Sequence, residues 1–370
     1  MIVAIDYTPA LRQRAGIGRF VRDLVGAVLA EPSDLEFRLV LSRDAPGAPP
    51  PSVPTIRLPF SEKVGLVVWN VLGLPLPVEC FTGRIDVFHA TNFLLPTLRR
   101  AQGVVTVHDL TFLVHPEFAH PRNLRFLRRA VPRSIRRATL VCADSTATKE
   151  DLTRLLGVPA DRVEVILGGV EARFRAIGPE EHARARERYP VDAPYLFALG
   201  TREPRKNLAG LLDAYRIVRE RGVEVRLLLA GPSGWLEEGF AARLAASPFR
   251  ADVVSLGFVP DDDLPALLSG CACFVYPSFY EGFGLPVAEA LACGAPVVCS
   301  NTSSLPEVAA DAALLVPPSD PVAIADAICR VLTDRALADR LRAAGPRQAA
   351  RLDWARSARA QIAAYRRAMT

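Results

Sequence analysis

The chain has 370 residues, enough for two domains of ordinary size with a full core in each. Half of them are hydrophobic and 23% are charged, which excludes a disordered chain. A net charge of +5 is mild at this length, and points to a small anionic ligand or a membrane surface rather than to nucleic acid. The seven cysteines are odd in number and lie mostly in apolar runs, and the N-terminus has no signal-peptide layout, so reduced thiols in a cytoplasmic chain are expected.

Ile2 to Thr8 reads as a buried first strand, followed by a loop with Gly16, Ile17 and Gly18, then a helix with Val21, Leu24, Val25 and Val28 on one face. This is half of a dinucleotide fingerprint. A third glycine is missing, and the next strand, Leu35 to Leu41, ends in no acid placed for a ribose, so the glycines are expected to let the backbone approach another ligand. The apolar stretch Val64 to Val78 contains Asn70, two glycines and two prolines, and is shorter than the roughly 20 residues a bilayer requires. It reads as a buried helix, with an exposed apolar lip as the alternative.

Strands follow at Asp86 to Thr91, Val104 to Val107 and Leu140 to Ala143. Between the last two, Pro121 to Ala138 places Leu124, Leu127, Val131 and Ile135 at helical spacing, with Pro132 expected to kink or divide the helix. Arg122, Arg125, Arg128, Arg129, Arg133, Arg136 and Arg137 decorate it and no acid interrupts them. Such a face is either simply solvated or an electrostatic seat, on anionic lipid headgroups or for a pyrophosphate-bearing acceptor.

Glu171 to Pro194 loses apolar periodicity and gains charge, and reads as the linker between a domain over 1–175 and a second over 190–353. The second opens with the strand Tyr195 to Gly200 and the loop Thr201 to Asn207, whose Asn207 suits the N-cap of a helix lined by Leu208, Leu211, Leu212, Tyr215 and Val218. Strands at Val225 to Ala230 and Val253 to Leu256 alternate with helices, and Cys271 to Tyr276 leads into a strand, loop and helix unit. Cys271 and Cys273 would share a strand face, but no second ligand pair accompanies them, so no metal site is expected. Ala313 to Val316 reads as an apolar turn, and Asp353 and Trp354 begin a final amphipathic helix expected to cross back onto the first domain. Strands alternating with helices in both halves predict an α/β chain of two doubly wound parallel domains.

Ligands of such sheets bind outside the carboxyl ends of the strands, which selects Gly16 to Gly18, His108, Arg205, Lys206 and Glu281. Arg205 and Lys206 precede a helix start, where their cations add to the dipole; the plainer reading is a surface ion pair with Glu203. Glu281 and Glu289 flank a helix opened by Pro286, where the amides of Gly284 and Leu285 favour a phosphate. Two carboxylates repel phosphate but bind hydroxyls well, so phosphate flanked by hydroxyl-bearing groups describes a nucleotide sugar. His108 could donate to a hydroxyl or phosphate, or simply pair with Asp109, and His89 and Asn92 are weaker versions of the same case. The run Asp261, Asp262, Asp263 contains an Asp-x-Asp pattern but precedes a helix and reads as capping, and Ser304 with Glu307 reads as a capping box.

These stretches together resemble the retaining glycosyltransferases of family four, of GT-B architecture with two Rossmann-like domains, over nearly the whole chain. The family's glutamate, seven residues, glutamate signature is matched by Glu281 and Glu289. Its Arg and Lys diphosphate ligands are matched by Arg205 and Lys206, its N-terminal glycine loop by Gly16 to Gly18, and its histidine near the transferred sugar by His108. The resemblance implies that Glu281 holds hydroxyls of the sugar, Glu289 those of the ribose, and Phe283, Gly284 and Leu285 line sugar and phosphate through backbone groups. It implies no cofactor and no metal. The wording around GIGRF, VHDL and GTREPRKN is similar to bacterial mannosyltransferases of surface-polysaccharide assembly, with GDP-mannose as donor and a glycan or lipid-linked glycan as acceptor. The alternatives are a UDP-sugar donor, a nucleotide-sugar epimerase, and a non-catalytic nucleotide-sugar sensor or assembly subunit. A cytoplasmic location is expected, with peripheral attachment to the inner membrane face through the arginines.

Overall fold

The computed structural model describes residues 1–13, 16–119, 121–189, 194–234 and 238–370. The chain divides into two compact units, Met1–Gly169 with Asp353–Thr370, and Val170–Leu352.

Among the described residues, unit 1 is built on seven strands, β1 (Ile2–Asp6), β2 (Glu36–Leu41), β3 (Thr55–Arg57), β4 (Val87–Ala90), β5 (Gln102–Val107), β6 (Leu140–Ala143) and β7 (Val163–Val165). They pair in the order β3-β2-β1-β4-β5-β6-β7, and every pairing is parallel. The chain winds outward from β1 to β3, returns to β4, and winds the other way to β7. The strand order therefore reverses between β1 and β4, which opens a crevice at their carboxyl ends. Burial on both faces explains the unbroken apolar run of β6. The C-terminal helix Trp354–Arg367 belongs to this unit and packs on the helix Ile17–Ala30, with the Phe20 and Trp354 rings edge to face at 5.3 Å. Its Asp353 cap accepts from the Ala355 amide.

Among its described residues, unit 2 holds six parallel strands, β8 (Tyr195–Leu199), β9 (Arg226–Ala230), β10 (Val253–Gly257), β11 (Cys273–Tyr276), β12 (Val297–Ser300) and β13 (Ala313–Val316), in the order β10-β9-β8-β11-β12-β13. Its order reverses between β8 and β11. The core of this unit gathers Leu211, Tyr215, Val218 and Ile328 against the sheet, as the periodicity of 208–218 predicts.

Several expectations are corrected. Pro132 does not divide its helix, which runs unbroken from Pro121 to Arg137. Ala313–Val316 is not a turn but an edge strand paired with Val297–Ser300. The charged segment 171–194 contains a helix, Pro179–Arg188, whose sequence lacks a wide apolar stripe; residues 190–193 lie outside the described ones. Cys271 ends the helix Leu264–Gly270 instead of sharing a strand face with Cys273. The stretch from Val64 is a helix with only one face buried, described below.

Candidate active site

The site of unit 2 forms where its strand order reverses. The loop after β8 carries Arg205 and Lys206 and the loop after β11 carries Glu281, so neighbouring strands bring residues over seventy positions apart into contact. Glu281 bridges both cations: Arg205 Nη1 donates to Glu281 Oε2 at 2.6 Å and Lys206 Nζ to Oε1 at 2.7 Å. Arg205 also reaches Glu203 Oε1 at 2.6 Å and the Tyr280 carbonyl at 2.8 Å. The Glu203 pairing is real but not superficial, because the Arg205 side chain is 18% exposed and that of Glu203 8%. Lys206 lies over the Tyr276 ring, 5.0 Å from its centroid, and donates to the phenol oxygen at 2.5 Å. The Phe279 amide donates to the Arg205 carbonyl at 2.9 Å and so ties the two loops together.

Two acids and two cations leave this cluster neutral overall. Burial would raise the Glu281 carboxyl, but Arg205 and then Lys206 hold it down at about 2. Burial, with Arg205 beside it, pulls Lys206 below the usual ammonium range against the opposing carboxylates. The charges are preformed, partly open to water, and balanced by groups that an incoming anion could replace.

Behind Glu281 stands a clamp that the sequence reading missed. Thr302, Ser303 and Ser304 follow β12, the strand beside β11. Thr302 Oγ1 donates to the Phe279 carbonyl at 3.0 Å, and Ser303 Oγ accepts the Glu281 amide at 2.9 Å. Ser304 Oγ donates to the carbonyls of Glu281 at 3.0 Å and Phe283 at 2.7 Å. Ser304 therefore does not cap its own helix by its side chain, which corrects the expected capping box. The one available signal was a run of three hydroxyl residues, Thr302 to Ser304, one residue past an apolar strand. The helix Leu285–Ala292 begins one residue before Pro286, after Gly284 at φ +105°. A Cβ there would be strained by the backbone and would meet Leu305 Cδ2 at 2.6 Å. Phe283 is buried, and Glu289, one turn into the helix, is 1% exposed.

Asn207 caps the helix Leu208–Glu220 as expected, accepting from the Gly210 amide at 3.2 Å. The aspartate run does not cap. Asp262 pairs with Arg173 at 2.9 Å, and Asp263 with Arg188 at 3.0 Å and the Tyr189 hydroxyl at 2.7 Å. Among the described residues no three His, Cys, Asp or Glu side chains are grouped as a metal would need.

Unit 1 uses its strand ends differently. His108, just past β5, pairs through Nδ1 with Asp144 at 2.7 Å, not with Asp109, and donates from Nε2 to the Thr91 carbonyl at 2.9 Å. Burial opposes its charge, but the Asp144 carboxylate and these hydrogen bonds carry its pKa above the ordinary imidazole value. His89 is not at a strand end but within β4, bonded to the Tyr365 hydroxyl and Thr106 Oγ1, both at 2.8 Å; burial lowers its pKa to about 3. In the glycine loop, Gly16 has φ +57°. A Cβ on Gly18 would lie 2.0 Å from the Gln13 carbonyl oxygen, so its lack of a side chain is required by its own loop. Arg22 holds the same loop by donating to the Ala10 carbonyl at 2.6 Å and the Gln13 carbonyl at 2.9 Å.

Two parallel, doubly wound units, one with a charge-balanced cluster of Arg205, Lys206, Glu203 and Glu281 at its order reversal, define an α/β protein of Rossmann-like units. Comparison with known proteins refines that class. Residues 14–174 match the model "Glycosyltransferase Family 4" and residues 179–348 match "Glycosyl transferases group 1". The O-antigen chain mannosyltransferase B of Escherichia coli is 36% identical over 76% of this chain and 74% of its own. The serotype-specific mannosyltransferase WbdA of Escherichia coli is 31% identical over 71% of this chain, which spans only 33% of that protein. The sucrose-phosphate synthase of Thermosynechococcus elongatus has the same fold, with a TM-score of 0.77 over 99% of this chain and 98% of that one at 22% identity. This chain belongs to the family 4 glycosyltransferases and has the GT-B fold. It is a hexosyltransferase.

Proposed function

We propose that the enzyme transfers mannose from GDP-mannose, with retention at the anomeric carbon, to a glycan or lipid-linked glycan in the assembly of a bacterial surface polysaccharide. The Glu281 cluster is the observation that carries this reading, and the names of the two mannosyltransferase relatives support the sugar. A diphosphate entering beside Arg205 and Lys206 takes over their positive charge from Glu281. The freed carboxylate then accepts from hydroxyls of the transferred sugar, while Glu289 accepts from the ribose. Arg205, Lys206 and the amides of Gly284 and Leu285 stabilise the charge that builds on the departing diphosphate. No metal is required for that step, since the cations are already in place. Phe283 lines the sugar through its backbone, and Gly16 and Gly18 shape a loop of unit 1 whose backbone a ligand can approach. His108 takes a narrower role: with both nitrogens engaged, it is a positioning residue that ties the end of β4 to Asp144. The arginine helix seats the enzyme peripherally on the cytoplasmic membrane face.

A thermal-shift panel of GDP, UDP and ADP sugars, followed by turnover with and without EDTA, tests the donor. Stabilisation by GDP-mannose and EDTA-resistant transfer to an acceptor are expected. A UDP sugar stabilising instead would reassign the donor, release of an isomerised sugar without acceptor would indicate an epimerase, and binding without turnover a sensor.

A further inference from the structure

Among the described residues, Val64, Val67, Val71, Leu72 and Leu74 are each between 44% and 62% exposed, and they form one run of large apolar side chains. Val64, Val67 and Val71 recur at helical spacing on the solvent side of the helix Glu62–Leu66 and the wider turn that continues it to Val71. The opposite side is anchored. Gly65, Trp69 and Asn70 are buried, the Trp69 ring meets Phe60 edge to face at 5.2 Å, and Trp69 Nε1 donates to the Leu76 carbonyl at 2.7 Å. The apolar run is therefore the outer face of a fixed ridge.

That ridge lies against the arginine helix. Asn70 Oδ1 accepts from Ser134 Oγ at 3.5 Å and Arg137 Nη2 at 3.4 Å, and Arg137 also donates to the Leu95 carbonyl. The helix buries Ala130, Val131, Ser134 and Ile135, which leaves Arg125, Arg128, Arg129, Arg133 and Arg136 exposed with no acid on the helix. Arg137 is exposed as well, with its guanidinium bonded to Asn70 and the Leu95 carbonyl, and the side chain of Arg122 lies outside the described ones.

We propose that the ridge and the arginine face are one docking surface for an anionic lipid bilayer, with the arginines on headgroup phosphates and the ridge inserted at the boundary of the acyl chains. This rests on the reading that the arginine helix meets a membrane and adds the element that enters it. A free phosphate or a nucleic acid would use the cations and leave the ridge in water, whereas a bilayer uses both.

Flotation with phosphatidylcholine vesicles, with and without phosphatidylglycerol, tests it at about 0.01 M and about 1 M salt, where the screening length falls from roughly 30 to 3 Å. The wild-type chain is expected to float only with phosphatidylglycerol, strongly at low salt and measurably at high salt. Arg128→Gln with Arg129→Gln should weaken low-salt binding about 30-fold. Val71→Ser, Leu72→Ser and Leu74→Ser together should remove the high-salt component and weaken low-salt binding at least about tenfold. All five positions are exposed, so unchanged thermal melts are expected of both variants. If the serine variant binds like wild type at both salts, the ridge proposal fails while the arginine seat stands. Absence of wild-type flotation at low salt overturns both, equal binding to pure phosphatidylcholine overturns the charge half, and equal retention on polyglutamate reassigns the surface to an acidic protein.

Discussion

The ends of β1 and β4 in unit 1 and of β8 and β11 in unit 2 occupy the same place in two sheets wound the same way, yet their polar groups are used differently. In unit 1 they are turned on the protein itself. The Thr91 carbonyl just past β4 accepts from His108 at the end of neighbouring β5, and Arg22 holds the glycine loop beyond β1 by two carbonyls. In unit 2 the charges are side by side, with Arg205, Lys206 and Glu281 side chains 18%, 12% and 7% exposed. A hydrogen bond to a backbone carbonyl cannot be handed to a ligand without leaving that carbonyl unpaired, whereas an ion pair can exchange one anion for another. Reversal of strand order marks where a ligand fits; the kind of partner each side chain already has decides whether it can bind one.

Arginine 205 offers the largest way to break this contrast. Arg205→Ala should lower turnover with GDP-mannose by about 10²- to 10³-fold, the usual cost of removing one donor to a developing negative charge. Unchanged turnover would mean that unit 2's cluster is structural like unit 1's. Next comes acid. The Glu281 carboxyl is held at about 2 against an ordinary 4.5, so its contribution of about 3 kcal/mol is complete above 4.5 and disappears as pH falls toward 2. Urea unfolding should show Glu281→Gln less stable than wild type at neutral pH, with the gap closing over that window. The His108 pair has the opposite sign. Its raised pKa makes the contribution complete below the ordinary imidazole value and lost as pH rises through the folded one. His108→Asn should therefore cost most stability below the ordinary imidazole value, with the gap to wild type narrowing as pH rises through the folded one. A Glu281→Gln gap that persisted at low pH would remove the electrostatic half of the comparison.

The glycines sharpen it at smaller cost. Gly18→Ala forces a Cβ against a backbone carbonyl that Arg22 already fixes, so a loss of about 2 kcal/mol is expected, read by chemical denaturation. Gly284→Ala meets a flexible leucine tip but a forbidden φ, and should cost about 1 to 2 kcal/mol while raising the donor KM, because it tilts the amides at the helix start. If Gly18→Ala altered the donor KM more than Gly284→Ala, the donor seat would belong to unit 1.

Much of the architecture was legible because strands buried on both faces are written as unbroken apolar runs. Leu140–Ala143 could be bounded from sequence alone, and β8 to within one residue. What failed was short or carried mixed signals. Ala313–Val316 looks like a turn because only pairing with β12 makes it a strand, and Val64 onward looks like a buried helix because composition does not say which face has a neighbour. At the site, Arg205, Lys206 and Glu281 were visible as charges at strand ends. Their mutual pairing was not, since contact across adjacent strands depends on strand order, which no local pattern encodes. Asp263 and Ser304 were misread for a related reason: both stand where caps stand, but tertiary partners outcompeted their own helix amides.

Ser304 supplies the smallest and most discriminating effect. Its hydroxyl is fully buried and serves the carbonyls of Glu281 and Phe283, which bracket the turn on which the carboxylate sits. Ser304→Ala removes the donor and leaves both carbonyls dependent on weaker partners, at a cost of about 1 kcal/mol. Because Thr302 and Ser303 still hold Phe279 and the Glu281 amide, the loop should remain folded but set Glu281 less firmly against Arg205 and Lys206. The consequence is a donor KM raised severalfold with kcat nearly unchanged, since Arg205 and Lys206, the proposed stabilisers of the leaving group, stay in place. A fall in kcat instead, with KM unaffected, would show that the position of Glu281 matters in the transition state and not in donor capture. Its role would then lie with Arg205 in the chemical step.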